Sequence, residues 1–390
     1  MQLIRAKPCN LEPLNKIKTS DMVAISTLSI HAADESHRVS DVTPPINIST
    51  TYRYDSDPAK LKTASEIDGL GDDVVYSRLS HHNGVLVEET IGAITKSEAV
   101  IYSSGLGAFN AAMAHLNPKK LFIGQAYHGC HGIADIMTRN YGLKQLSLSE
   151  EDLKLIEEGD LIHIETPVNP NSWCFDIQKF ADLAHEKGAK LLVDSTFAPL
   201  QDPFEFGADM VMHSATKYFG GHSDLLAGLL LTKDKEVKKA LQLDRVYLGT
   251  NIGNLEASLL FRSLKTFELR VKAQSASAEI IAKHLQEKKE SLPKLLEVHH
   301  SSLQSEAFVA AQLKGIHSPT FSIIVDSAET ARLLPSKLKY FYHATSLGGA
   351  ESLIEWRCMS DVTAPPGLLR ISVGLENVDD LIGDLVTALE

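Results

Sequence analysis

Lys217 stands out among the residues able to do chemistry. It lies in "HSATKYFGGHSDLLAG" (His213–Gly228), between small hydroxyl residues and two glycines, with apolar runs on either side. Most lysines are solvated surface charges. A lysine at a partly desolvated strand end instead has a depressed pKa, and can act as a base or condense with an aldehyde. Its neighbours decide between the two. Asp194, in "LLVDSTFAP", directly follows an apolar run, where a carboxylate without a partner is expensive. Its plain role is a helix N-cap shared with Thr196; its chemical role is to pair with a buried cation. "SSGLG" (Ser103–Gly107) joins an apolar run to a helical one. Such a turn is either an ordinary tight connection or a cradle in which Ser104, Gly105 and Leu106 receive an anion on free backbone N–H groups. Ser214 and Thr216 add hydroxyl groups next to Lys217.

These positions must be brought to one edge. From about Gly84 the chain alternates short apolar runs with helical spacing. "SEAVIYSS", "KKLFIG", "DLIHIETP", "AKLLVDST" and "ADMVMHSA" read as strands, and "DIQKFADLAHEKG" as an amphipathic helix closed by glycine. This pattern predicts a buried, mostly parallel sheet in an α/β fold. Ligands then gather at the carboxyl ends of the strands, where Ser103–Gly107, Asn169, Asp194–Thr196 and Ser214–Lys217 fall. A lysine, a buried carboxylate and a phosphate-type loop on one sheet edge fit pyridoxal 5'-phosphate (PLP), with Tyr127 of "QAYHGCHG" offering an aromatic face. Beyond about Leu241 a long helical stretch leads into shorter mixed elements. The expected division is an N-terminal arm over 1–60, a large cofactor-binding domain over 61–247 and a small α/β domain over 248–390. The arm is polar and turn-rich, which predicts a partner surface and hence an oligomer.

The 390 residues exceed one ordinary core, and 44% apolar with 23% charged residues is normal for a globular chain. A net charge of −12 argues against nucleic acid and against an anionic membrane surface. The four cysteines, Cys9, Cys130, Cys174 and Cys358, form no CxxC pair and read as thiols of a cytoplasmic protein. No apolar run has the length of a membrane span, and the first 21 residues lack a secretory core. A dinucleotide fold is disfavoured, because "GLGAFN" lacks the third glycine and "LFIGQAYHG" has no acidic residue for a ribose. No metal is expected: His128, Cys130 and His131 crowd into four positions without a distant pair of ligands.

Through "VYSR", "YSSGLGAF", "ETPVNP", "VDSTF", "HSATKYFGGHSD", "SLGGAESLI" and "LRISVGLE" the chain resembles the trans-sulfuration enzymes, the Cys/Met-metabolism family of PLP enzymes. The likeness runs from "PPINISTTY" to "LLRISVGLENVDDLIGDL". It implies the aspartate-aminotransferase-like fold (fold type I). By resemblance, Lys217 would hold PLP through its ε-amino group and act as the catalytic base. Asp194 would face the ring nitrogen, with Thr196 beside it, and Tyr127 would stack on the ring and protonate the leaving group. Ser104, Gly105, Leu106, Ser214 and Thr216 would hold the phosphate. Tyr76 and Arg78 would reach the phosphate of a neighbouring subunit, so that a homodimer or homotetramer shares its sites. Asn169 would lie near the cofactor oxygen and the substrate. Arg370 and Ser346 would clamp the α-carboxylate, and Thr345 would touch the far end of the substrate.

The implied activity is a carbon–sulfur lyase acting on cystathionine or a related cysteine or homocysteine conjugate. The alternatives are γ-replacement on an O-acyl-homoserine and a PLP-binding protein with little catalysis. Three segments depart from the family pattern. Thr345 replaces a glutamate or tyrosine, "YHGCHG" replaces "YGG", and "ESLIEWRCMSD" replaces a segment with a proline and a Thr-His pair.

Overall fold

The computed structural model describes residues 23–63, 66 and 74–390. The first part of the expected arm, with Cys9, lies outside the described residues. Seven strands form the larger sheet: β1 (Glu98–Tyr102), β2 (Lys120–Ile123), β3 (Lys144–Leu146), β4 (Leu161–Glu165), β5 (Lys190–Asp194), β6 (Met210–His213) and β7 (Gly228–Thr232). Their spatial order is β1-β7-β6-β5-β4-β2-β3. The five strands read from the sequence are all present, and β3 and β7 join them.

The sheet is parallel from β3 through β2, β4 and β5 to β6, whereas β7 runs antiparallel to both β6 and β1. A parallel return needs a crossover, usually a helix. The 214–227 connection that carries Lys217 contains no helix, so β7 comes back antiparallel. Both faces of the sheet are covered. In β1, Ala99 and Ile101 point into one apolar core, while Val100 and Tyr102 point into the other, the two-residue alternation of a strand. Helices His82–Thr95, Ile177–Glu186 and Asn254–Leu264 contribute to the first core; Gly105–Leu116 and His128–Tyr141 contribute to the second.

The smaller sheet comprises β8 (Leu295–His299), β9 (Thr320–Val325), β10 (Phe341–His343), β11 (Ser352–Trp356) and β12 (Leu368–Ser372), in the order β10-β11-β12-β9-β8. One helix, Phe267–Lys288, serves both cores. Phe267 and Val271 pack with the larger sheet, and Ala278, Ile281, Ala282 and Leu285 with the smaller. Ala257, Leu260, Phe261 and Leu264 also belong to the larger core. The cores therefore part inside the long helix, beyond the 247/248 division read from the sequence. The first helix of that region keeps its apolar stripe on the larger sheet.

Residues 42–54 run along the surface with Val42, Ile48 and Tyr54 strongly exposed, joined to the body by a bridge between Thr51 and Tyr76. Among the described residues, no helix is long and apolar enough to cross a membrane.

Candidate active site

A cavity of about 310 Å³ opens where β4, β5 and β6 end, with loops of the smaller sheet across it. Ser104, Gly105, Leu106, Tyr127, Asn169, Asp194, Thr196, Ser214, Thr216, Lys217, Thr345, Ser346 and Arg370 all line it. Tyr76 and Arg78 do not. They lie together at the surface, the Arg78 guanidinium carbon 5.5 Å from the centre of the half-exposed Tyr76 ring.

Lys217 follows β6 in a tight turn, its backbone N–H donating to Ser214 O. Its Nζ donates to Ser346 Oγ at 2.7 Å. Ser346 and Gly348 both have positive φ, +78° and +83°. A Cβ on Gly348 would come within 2.8 Å of Tyr218 N and 2.9 Å of Lys217 C, so glycine lets this loop lie directly on the lysine backbone. Burial pushes the Lys217 amine down to about 8; the Arg370 charge pushes the same way, and Glu355 opposes it.

Asp194 ends β5 directly opposite Glu165, the last residue of β4. Asp194 Oδ1 accepts from Thr196 N at 2.9 Å and from Thr196 Oγ1 at 2.6 Å. Glu165 Oε2 accepts from Tyr127 N at 2.8 Å, and its Oε1 from Asn169 N at 2.7 Å. Burial raises both carboxyls, Glu165 to about 8 with the Asp194 charge adding to the effect, and Asp194 to about 6. Two buried carboxylates side by side resist ionising together. Among the described residues, the Asp194 carboxylate is hydrogen-bonded by Thr196 alone and meets no cation. A protonated ring nitrogen is a group that would complete it.

Ser104 caps the helix Gly105–Leu116, its Oγ accepting from Gly107 N at 3.0 Å. The first N–H groups of such a helix lack intrahelical partners and suit an anion. A Cβ on Gly105 would stand 3.1 Å from Ser214 Cβ, so glycine permits the loop and the Lys217 turn to meet. Thr196 Oγ1 accepts from Ser214 N at 2.8 Å, which ties the Asp194 end to this turn. Thr216 uses its hydroxyl on Ala227, donating to the carbonyl at 3.2 Å and accepting from the N–H at 3.0 Å. Amine, carboxylate and helix start thus surround one cavity in a way that fits PLP.

The opposite wall comes from the smaller sheet. Arg370 on β12 is buried, and its Nη1 donates to Asn169 Oδ1 at 3.0 Å. Its Nη2 donates to Ser346 O at 2.9 Å and to Glu355 Oε2 at 2.5 Å. Glu355 sits across from Arg370 in the β11–β12 pairing. Arg357 Nη1 donates to the same Glu355 oxygen at 2.9 Å, and Ser360 Oγ donates to Oε1 at 2.6 Å.

Glu165, Glu355 and Arg357 were not among the residues singled out from the sequence. Glu165 carried the same signal as Asp194, an acid closing an apolar strand. For Glu355 the signal was weaker, one acid in "SLIEW" facing one base in "LLRIS". His128 and Cys130, considered as metal ligands, line the same cavity, Cys130 with burial raising its thiol.

Residues 26–390 match the model of the Cys/Met metabolism PLP-dependent enzymes. The chain is 32% identical over 370 residues to a cystathionine gamma-synthase of Mycobacterium bovis, covering 89% of this chain and 92% of that protein. It is also 32% identical over 396 residues to a cystathionine beta-lyase of Lactococcus lactis, covering 95% and 100%. The crystal structure of cystathionine gamma-lyase from yeast superposes with a TM-score of 0.82 at 31% identity, covering 95% of this chain and 98% of that one. The extent of these matches and the cavity at the strand ends agree: this chain belongs to the Cys/Met metabolism family of PLP-dependent enzymes.

Proposed function

We propose that this member of the family is a carbon–sulfur lyase acting on cystathionine or a related cysteine or homocysteine conjugate. One observation carries the reading: Lys217, Asp194 and Arg370 line a single cavity, with the amine depressed to about 8. Lys217 is the residue that would hold PLP, with Asp194 and Thr196 at the ring nitrogen and Tyr127 against the ring. The phosphate would lie at Ser104, Gly105, Leu106, Ser214 and Thr216. When bound, PLP supplies an aldehyde for the substrate amine and an electron-withdrawing ring.

The chain's own residues do the rest. Arg370 binds the α-carboxylate with the planar fork that suits it, and Asn169, bonded to Arg370 Nη1, keeps that fork oriented. Lys217, its ε-amine free to lose a proton near neutral pH, takes the substrate's α-proton. Ser346 Oγ, at 2.7 Å from Nζ, steers the amine. Tyr127, at the mouth of the cavity, gives a proton to the sulfur as the carbon–sulfur bond breaks. Thr345 meets the far end of the substrate with a neutral hydroxyl.

Tyr76 and Arg78 would complete a neighbouring subunit's site in a homodimer or homotetramer. Their place outside this chain's cavity and the exposed apolar residues of 42–54 support that assembly. Free Cys130, Cys174 and Cys358 accord with a cytoplasmic setting. A γ-replacement synthase is the second reading, favoured by the mycobacterial synthase at the same 32% identity as the lyase.

A panel of cystathionine, cysteine and methionine, followed by keto acid and free thiol, tests the lyase. Cystathionine formed from O-acyl-homoserine and cysteine, without keto acid from the panel, would replace it with the synthase.

A further inference from the structure

Arg357 is placed beside the carboxylate-binding arginine but holds no role in the reaction described above. It is buried, lines the same cavity and shares Glu355 Oε2 with Arg370. We propose that Arg357 and Glu355 are positioning residues that set the charge of the α-carboxylate subsite, Glu355 by aiming Arg370 and Arg357 by cancelling the charge that Glu355 brings. This rests on the reading of Arg370 as the carboxylate clamp.

Glu355 alone against Arg370 would make a neutral pair, and a neutral pair has little attraction for an incoming carboxylate. Its other oxygen is held by Ser360, so the acid cannot swing away without losing that bond. A second guanidinium on the same oxygen restores one net positive charge to the cluster, the charge a single substrate carboxylate needs. Burial makes the balance matter, since interactions between buried charges are little screened.

The geometry leaves Arg370 able to respond. A guanidinium has five N–H donors, and among the described residues Asn169, Ser346 and Glu355 take three bonds from it. Arg357 is less completely satisfied: among the described residues its buried Nε has no hydrogen-bond partner. Such a group persists when its charge is useful. Asp361 also approaches, with its Oδ2 3.8 Å from Arg357 Nη2. Its other oxygen is committed to Thr363, and the residue is partly exposed. Its pull on the cluster is therefore weaker than that of buried Glu355.

The test is steady-state kinetics on the PLP-loaded enzyme, with calorimetric titration of butyrate, a carboxylate that has no amine. Arg357→Gln is expected to raise KM and the butyrate dissociation constant roughly tenfold, with kcat within about threefold of the parent. Arg357→Lys, which keeps the charge, should recover most of the loss. So should the double variant Glu355→Gln/Arg357→Gln, which returns the net balance while the amide oxygen at position 355 can still accept from Arg370. A purely structural role predicts the opposite for the double variant, which would be at least as impaired as the single. That result, or Arg357→Gln binding butyrate as tightly as the parent, overturns the proposal. Butyrate binding does not depend on turnover. If the parent enzyme binds butyrate but cleaves no carbon–sulfur bond, the lyase reading fails and the charge balance is still measured.

Discussion

The two walls of the cavity are built differently. On the larger sheet, Glu165, Asp194 and the Lys217 turn sit at the ends of neighbouring strands, so their relative positions follow from the parallel ladder. On the smaller sheet, Arg370 is held by side chains and a carbonyl from three separate elements: distant Asn169, the 346 loop and Glu355 on the adjacent strand. The first wall is rigid by topology. The second is a balance of buried charges, in which removing one member leaves the others uncompensated. Changes on the first wall should therefore damage chemistry, and changes on the second should damage binding.

The sharpest break is expected at Lys217. Lys217→Ala should lower kcat by at least about 10³-fold through loss of the general base. Product formation in single-turnover experiments would measure it, and substrate binding through Arg370 should survive. Asp194→Asn comes next. It removes the anion that completes the ring-nitrogen position, for an expected loss of about 10²-fold in kcat with KM little changed. A loss confined to KM would move Asp194 out of the chemistry and blur the contrast between the walls.

Glu165→Gln should have a smaller effect. Two backbone N–H donors, from Tyr127 and Asn169, face its two oxygens. A glutamine turns an amide N–H toward one of them, so one bond is lost at about 1–3 kcal/mol. Roughly tenfold in kcat/KM is expected, read from initial rates.

A separate effect concerns pH and is read in stability rather than in rate. Burial raises Asp194 to about 6 and Glu165 to about 8 in the folded protein, above the ordinary carboxylate range. The folded apoenzyme therefore holds more protons than the unfolded chain across this window. The stability contributed by the pair is full below about pH 4 and is lost as pH rises toward about 8, by up to about 1.4 kcal/mol per pH unit for each proton. PLP would provide Asp194 with a cation, so the gap in Tm between cofactor-bound and apo protein should widen from pH 5 to 8. A gap independent of pH would disconnect Asp194 from the cofactor.

The contrast between the walls also explains what could be read from the sequence. Each strand of the first wall announces itself as a short apolar run, and its functional residue is the first polar one after it: Asp194 after "LLV", Lys217 soon after "MVMH". Local pattern and chemistry coincide there. The antiparallel return of β7 was not visible, because it depends on the absence of a helix between residues 214 and 227. The second wall depends on strand register and on one remote contact, Arg370 with Asn169. Nothing local in "SLIEWR" says that Glu355 will lie opposite Arg370, or that Arg357 will share its oxygen. The family resemblance pointed to Arg370 but carried no information about Arg357, where the segment departs from the usual pattern. Tyr76 and Arg78 come from the resemblance alone, and both lie outside the cavity.

Borohydride reduction of the PLP-loaded protein, followed by peptide mass mapping, tests the central claim most directly. The account predicts a single reduced pyridoxyl adduct, on the peptide containing Lys217, and its disappearance in Lys217→Ala. An adduct on a different lysine, or a cofactor-saturated protein that gives none, would contradict it.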